Sequence, residues 1–259
     1  MILRHGYFII AFIFVVFISP VFLSGCQIGE NKNITGEKND FSKESHEKLQ
    51  KDENIRLPSI ETIEDKKLEE SDKQLTVSEA IKERRSIRNY EEGEIKLWEL
   101  SSLLWAAQGI TEQDRGFRTA PSAGATYPME VYAVVGEVKD LKPGLYKYFP
   151  DEHELTLVAT GDFRDDLMDL ALGQEPVGEA PLSLVITSVY ERVMSRYGDR
   201  GVRYAKMEAG HISQNVYLKS AVLQLGTVTI GAFEDEKISN LLDLKEGEEP
   251  LYLMPVGRK

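Results

Sequence analysis

Three stretches of this chain carry side chains that could do chemistry. Arg84-Arg85-Ser86-Ile87-Arg88 places three guanidinium groups and a hydroxyl within five positions. Guanidinium offers planar, paired donors to oxygen, so the segment suits a phosphate or a similar oxyanion. Adjacent arginines repel one another unless an anion or acidic neighbours compensate; a solvated basic turn is the other reading. Thr119-Ala120-Pro121-Ser122-Ala123-Gly124-Ala125-Thr126-Tyr127-Pro128 is of a different kind. Its prolines restrict φ and its small residues leave the backbone bare for a flat ligand. An ordinary surface loop has the same composition, and the missing G-K-[ST] ending gives no support to nucleoside triphosphate binding. Glu208-Ala209-Gly210-His211-Ile212-Ser213-Gln214-Asn215 sets a carboxylate and an imidazole at i and i+3 of a helix. That is the spacing of a metal pair, but the four histidines of the chain provide no second pair, so no metal site is assigned. Gly210 costs a helix about 1 kcal/mol relative to Ala, which points to close packing of a buried, hydrogen-bonded pair instead. Two shorter signals are Gly231-Ala232-Phe233-Glu234-Asp235 after an apolar run, and the terminal Pro255-Val256-Gly257-Arg258-Lys259.

These residues need elements to position them. Thr76 and Glu79 form a capping box that opens a helix running to about residue 84 or 85. A second helix, 96–108, buries Leu97, Leu100, Leu103, Leu104 and Trp105 before Gly109 stops it. A turn-rich segment follows over 115–128, then a strand at 130–135 and a hairpin of 144–149 with 154–159 around Pro150-Asp151-Glu152. Asp162 caps a helix ending near Gly173, 182–188 is a buried strand, and 204–225 is a long helix. A strand at 227–230, a short helix at 236–242 and a closing strand at 250–256 complete the pattern. Helices and strands mix without strict βαβ alternation, which favours α+β over a doubly wound sheet.

Charge and cysteine usage exclude several functions. A net charge of −12 is the wrong sign for nucleic acid binding. The single cysteine, Cys26, allows neither a disulfide framework nor a thiolate metal cluster. Its position is informative: Arg4 and His5 precede an apolar run, and Leu23-Ser24-Gly25-Cys26 ends it, the pattern of an export signal. The L-S-G-C ending resembles the lipobox of prokaryotic lipoproteins, which implies cleavage before Cys26, lipidation of its thiol and attachment to the outer side of a membrane. The alternative is an uncleaved membrane helix, since ~20 apolar residues span a bilayer. Residues 27–74 are polar and charged, and such a stretch is expected to be a flexible tether. The folded domain is then 75–259.

Taken together and in order, R-R-S-x-R, P-S-A-G-A-x-Y-P, E-A-G-H-x-x-Q-N and a terminal V-G-R resemble the nitroreductase superfamily, and within it the SagB-type dehydrogenases. The resemblance covers about residues 75–258. It implies an α+β fold with a mainly antiparallel sheet flanked by helices, and a homodimer holding FMN at the subunit boundary and acting on a small molecule. Arg84, Arg85, Ser86 and Arg88 match the segment that holds the FMN phosphate and ribityl chain. Pro121, Ser122 and Ala123 match the loop against the flavin, contributed by the partner subunit. Ile230, Gly231 and Ala232 match the backbone facing N5, and Arg258 matches a basic residue closing over the phosphate. Thiazole-forming members of the branch use a Lys-Tyr pair as catalytic base. Here Arg196 and Tyr197 occupy those positions, and arginine, practically never deprotonated, is a poor base. Both are still candidates for the substrate pocket, with Tyr127 and Phe233 beside it. A flavin-free binding lipoprotein on the same fold is the reading from another functional class.

Overall fold

The computed structural model describes residues 54–62 and 75–259. The expected signal segment with Cys26, and the tether apart from 54–62, lie outside the described residues. The strands are β1 (Asn54–Arg56), β2 (Ile110–Glu112), β3 (Phe117–Arg118), β4 (Met129–Val135), β5 (Gly144–Phe149), β6 (Glu154–Thr160), β7 (Leu182–Val189), β8 (Leu225–Thr227) and β9 (Glu248–Arg258). The helices are α1 (Val77–Glu83), α2 (Leu97–Gln108), α3 (Arg164–Leu170), α4 (Glu175–Glu179), α5 (Tyr190–Tyr197), α6 (Arg200–Val222) and α7 (Asp235–Leu241).

Seven strands make one sheet in the order β1-β6-β5-β4-β7-β9-β8, every neighbouring pair antiparallel. Side chains alternate across a strand, and β4 shows the consequence. Val131, Ala133 and Val135 face a core filled by Leu100, Leu103 and Leu104 of α2 and Ala209, Ile212 and Val216 of α6. Tyr132 and Val134 face the other core, with Leu167 and Leu170 of α3, Val177 of α4 and Ile238 of α7. The fold is α+β, an antiparallel sheet with helices on both faces. Among the described residues no helix is long and apolar enough to cross a membrane.

Local signals set most boundaries. The Thr76 hydroxyl accepts from the Glu79 amide at 3.3 Å, and the Glu79 carboxylate accepts from the Thr76 amide at 2.8 Å, closing the expected box. Four expectations need correction. Residues 54–62 are not tether: β1 pairs with β6 at Ile55↔Leu155, and Leu57 is buried. Their alternating Ile55 and Leu57 find an apolar partner only through a strand about a hundred positions away. Asp162 is not the cap of α3. It precedes the cap residue Phe163 and binds the Arg164 guanidinium at 2.7 Å, and α3 stops at Leu170 with α4 as a separate helix. The long helix begins at Arg200, and α5 stands directly before it, the two separated by Gly198 at φ 56°. Finally, a Cβ added to Gly210 would meet nothing within 4 Å, so close packing inside this chain is not its reason.

Candidate functional site

α6 serves two sites on two of its flanks. At 100° per residue, Glu208, His211 and Asn215 share one flank, and Tyr217 lies about 160° around the axis from Asn215.

On the Tyr217 flank, the arginine segment meets the strip after β8. The Arg84 guanidinium lies 5.1 Å from the centre of the Tyr217 ring. Ser86 Oγ shares a 3.0 Å hydrogen bond with the Tyr217 hydroxyl, which also accepts from the Thr229 amide at 2.8 Å. Ser86 bridges to Thr227, and the Ile87 amide donates to the Thr227 carbonyl at 2.9 Å. Ile230 exchanges two backbone hydrogen bonds with Leu253, at 2.8 and 2.9 Å. Beyond it Gly231 and Ala232 are exposed, and their amides donate to no atom of the described residues. The Ala232 carbonyl accepts from Gln174 Nε2 at 2.8 Å. Burial pushes the Tyr217 phenol up, but Ser86, Thr229 and the Arg84 charge outweigh it and hold the hydroxyl below its usual range.

The remaining arginines divide. Arg85 turns back onto the carbonyls of Lys82 and Arg84, at 2.9 and 2.7 Å, while Arg88 is exposed. Arg258, expected over the phosphate, is engaged elsewhere. Its guanidinium grips both Glu99 oxygens, at 2.7 and 2.6 Å, and the Glu94 carbonyl at 2.7 Å. Glu99 is 3% exposed, so Arg258 is the counter-charge of a buried carboxylate.

On the other flank sits the loop of Pro121, Ser122 and Ala123. A single 3₁₀ turn spans Ala123–Ala125, and the Tyr127 amide donates to Ser122 Oγ at 2.9 Å. Gly124, Ala125 and Tyr127 all have positive φ, of 62°, 53° and 42°. For Ala and Tyr this costs about 1 kcal/mol each, and side chains from α5 and α6 hold the strained turn in place. Arg192 donates to the Tyr127 carbonyl at 3.1 Å, Arg196 to the Gly124 carbonyl at 2.9 Å, and Asn215 to the Thr119 carbonyl at 3.3 Å. His211 Nδ1 lies 3.3 Å from the Pro121 carbonyl. A Cβ on Gly124 would come within 2.6 Å of the Tyr197 hydroxyl and 2.9 Å of Arg196 Nη1, so a side chain here, already strained at φ 62°, would push the ends of both away from the turn. The expected catalytic residues are thus both at the loop, Arg196 as a clamp and Tyr197 with its hydroxyl against the turn. Tyr127 stacks with Arg118 at 4.7 Å, and half-buried Phe233 packs on the second core.

Beneath the loop lies Glu208, 2% exposed. Burial raises its carboxyl to about 7, against the opposing pull of Ser122, Gln108 and Arg118. The expected buried pair is met only in part: Glu208 is buried, whereas the helix turns His211 to the surface. Tyr217 and Gln108 carried no signal of their own: an aromatic and an amide within apolar helical stretches look like core.

An exposed strip of α6, Arg203, Met207 and Gln214, separates the two flanks. One chain therefore offers a segment bearing Arg84 and Ser86 beside bare backbone, and on a separate flank a loop with Tyr197. The fold defines the class of an α+β protein with an antiparallel sheet covered by helices on both faces. The nitroreductase family model matches residues 81–258, and the chain belongs to that family. A nitroreductase-named protein of Methanocaldococcus jannaschii is 46% identical over 205 residues, covering 79% of this chain and 96% of that one. A trifolitoxin operon protein of Rhizobium leguminosarum bv. trifolii is 25% identical over 196 residues, 70% of this chain and 55% of its own length. The crystal structure of a nitroreductase-named protein from Ralstonia eutropha superposes with a TM-score of 0.65 at 29% identity, covering 80% of this chain and 90% of that one.

Proposed function

We propose that this protein is an FMN-dependent oxidoreductase, acting as a homodimer on a small-molecule substrate and tethered through Cys26 to the outer face of a membrane. One observation carries the cofactor reading: Ser86 bridges to Thr227, and Tyr217 joins Arg84 and Ser86 to Thr229, on the strip whose Gly231 and Ala232 amides stand open. An oxyanion fits the first and a flat ring edge with acceptors fits the second. Bound there, FMN would supply electron or hydride transfer at N5. Arg84 and Ser86 would hold the phosphate, and the backbone from Ile230 to Ala232 would face the ring. Arg85 and Arg88 border this segment. Arg258 stays with Glu99 and takes no part.

The same geometry supports the dimer. The Pro121–Ala123 loop lies around the helix from Tyr217, so a ligand touching both segments takes the loop from a second copy. Open Gly210, exposed Met207, and Val77 and Ile81 exposed one turn apart on α1 support such a contact. In the assembled site Arg196 fixes the loop, and the Tyr197 hydroxyl is the group placed to give or take a proton. The relative's trifolitoxin name raises peptide-heterocycle oxidation as a second reading. The Arg196 clamp argues against it, because a guanidinium already donating to Gly124 cannot serve as the base. The tether rests on the sequence of residues 1–26 alone.

The purified chain should be yellow, or become so with FMN, and should sediment as a dimer. Colourless protein that takes up no FMN, or a flavin-loaded monomer, overturns the corresponding part. Arg84→Ala with Ser86→Ala should abolish flavin retention. Cys26→Ser should release the protein from membranes; unchanged retention would favour an uncleaved helix.

A further inference from the structure

Tyr217 belongs to none of the matched cofactor segments, yet it touches the arginine segment and Thr229, the residue just before Ile230. A phenol has one proton to give and two lone pairs. The Thr229 amide fills one lone pair at 2.8 Å. The Tyr217 proton is then free for Ser86 Oγ at 3.0 Å, and a Ser86 that accepts it keeps its own proton for a ligand oxygen. The face of the ring meets the Arg84 guanidinium at 5.1 Å, a cation–π contact that restricts where this charge can point. Two anion-side groups and one ring-side amide are therefore oriented by a single side chain. The backbone is pinned on the far sides, Ile87 to Thr227 and Ile230 to Leu253; between these points the phenol alone ties the Ser86 side chain to the Thr229 amide.

Resting on the FMN reading, we propose that Tyr217 is a positioning residue for the cofactor, its hydroxyl orienting the Ser86 side chain on the phosphate side and the Thr229 amide that leads into the ring-facing backbone. Both ends of one ligand are thereby set from α6. The potential of the bound flavin then depends on Tyr217, because the amides nearest the ring follow Thr229.

The test measures FMN dissociation constant and midpoint potential on the full chain. Tyr217→Phe keeps the ring under Arg84 and removes only the hydroxyl. It should weaken FMN binding about tenfold, equivalent to 1.4 kcal/mol, and displace the potential. Tyr217→Leu, which also removes the cation–π contact, should weaken binding further. Ser86→Ala should cost much less in the Tyr217→Phe background than alone, since the two act as one unit. Tyr217→Phe binding FMN within twofold of the unaltered protein, at the same potential, overturns the proposal and leaves the FMN reading standing. So does a lowered thermal midpoint of the flavin-free chain with affinity and potential intact, which is a purely structural role. An unaltered protein that binds no FMN overturns both.

Discussion

Replacing Glu208 by Gln should stabilise the domain above neutral pH and remove one limb of its pH dependence. The native carboxyl titrates at about 7 against an ordinary 4.5, because burial disfavours its charge. The folded protein therefore keeps a proton that the unfolded chain has released. Between these two values the native state binds more protons, so stability falls as pH rises, and above the upper value the full cost is present. At about 1.4 kcal/mol per pH unit, that cost is about 3 kcal/mol. Gln is neutral at every pH and nearly isosteric. Its own buried amide adds a penalty that does not vary with pH. Urea denaturation of both proteins, from about pH 4 to about pH 9, gives the difference profile. It should rise through the window and level off above it. His153 contributes a limb of opposite sign, since burial holds its imidazole below 6.5 and stability is lost as pH falls through that value. It is present in both proteins and cancels in the difference. A profile that stays flat with pH would refute the reasoning, because no buried acid would then be titrating there.

Gly124→Ala should displace the loop, since the new methyl collides with Tyr197 and Arg196 and φ is 62°. Turnover with an artificial electron acceptor should fall more than tenfold, with only about 1 kcal/mol of stability lost; undiminished turnover would count against the loop. Arg258→Ala should destabilise by about 3 kcal/mol in urea, by stranding the Glu99 charge. Glu99→Gln added to it should recover most of that loss, whereas a flavin-binding role would leave it unrecovered. A chain beginning at residue 75 should melt below one beginning at residue 54. The lost burial of Leu57 alone is worth about 2 kcal/mol, and equal midpoints would return these residues to the tether.

Features written in short-range chemistry were legible from the sequence. The capping box at Thr76, the period of α2 and the β5–β6 hairpin each depend on residues within a few positions of one another. The site was legible in its parts, because arginines beside serine and a Pro- and Gly-punctuated loop are compositional signals. Their connections were not. Ser86 and Tyr217 are 131 positions apart, and Glu99 and Arg258 159. Arg258 shows the cost: a terminal arginine looks available until the buried carboxylate on α2 is seen. His211 shows the converse, since helical spacing puts it on the face of buried Glu208 without saying that it stands at that face's exposed margin.

The sheet finishes at both rims in strands of three residues, β1 and β8. β1 has its outermost side chains, Asn54 and Arg56, in solvent, and the backbone from Ser86 to Glu91 lies along β8 and the end of β9 through isolated bridges. A long bare edge offers a row of unpaired amides and carbonyls on which another chain can template itself. β1 covers Glu154, Leu155 and Thr156; without it the bare edge of β6 would run the whole length of the strand, Glu154–Thr160. The segment once assigned to the tether therefore guards against self-association by strand addition.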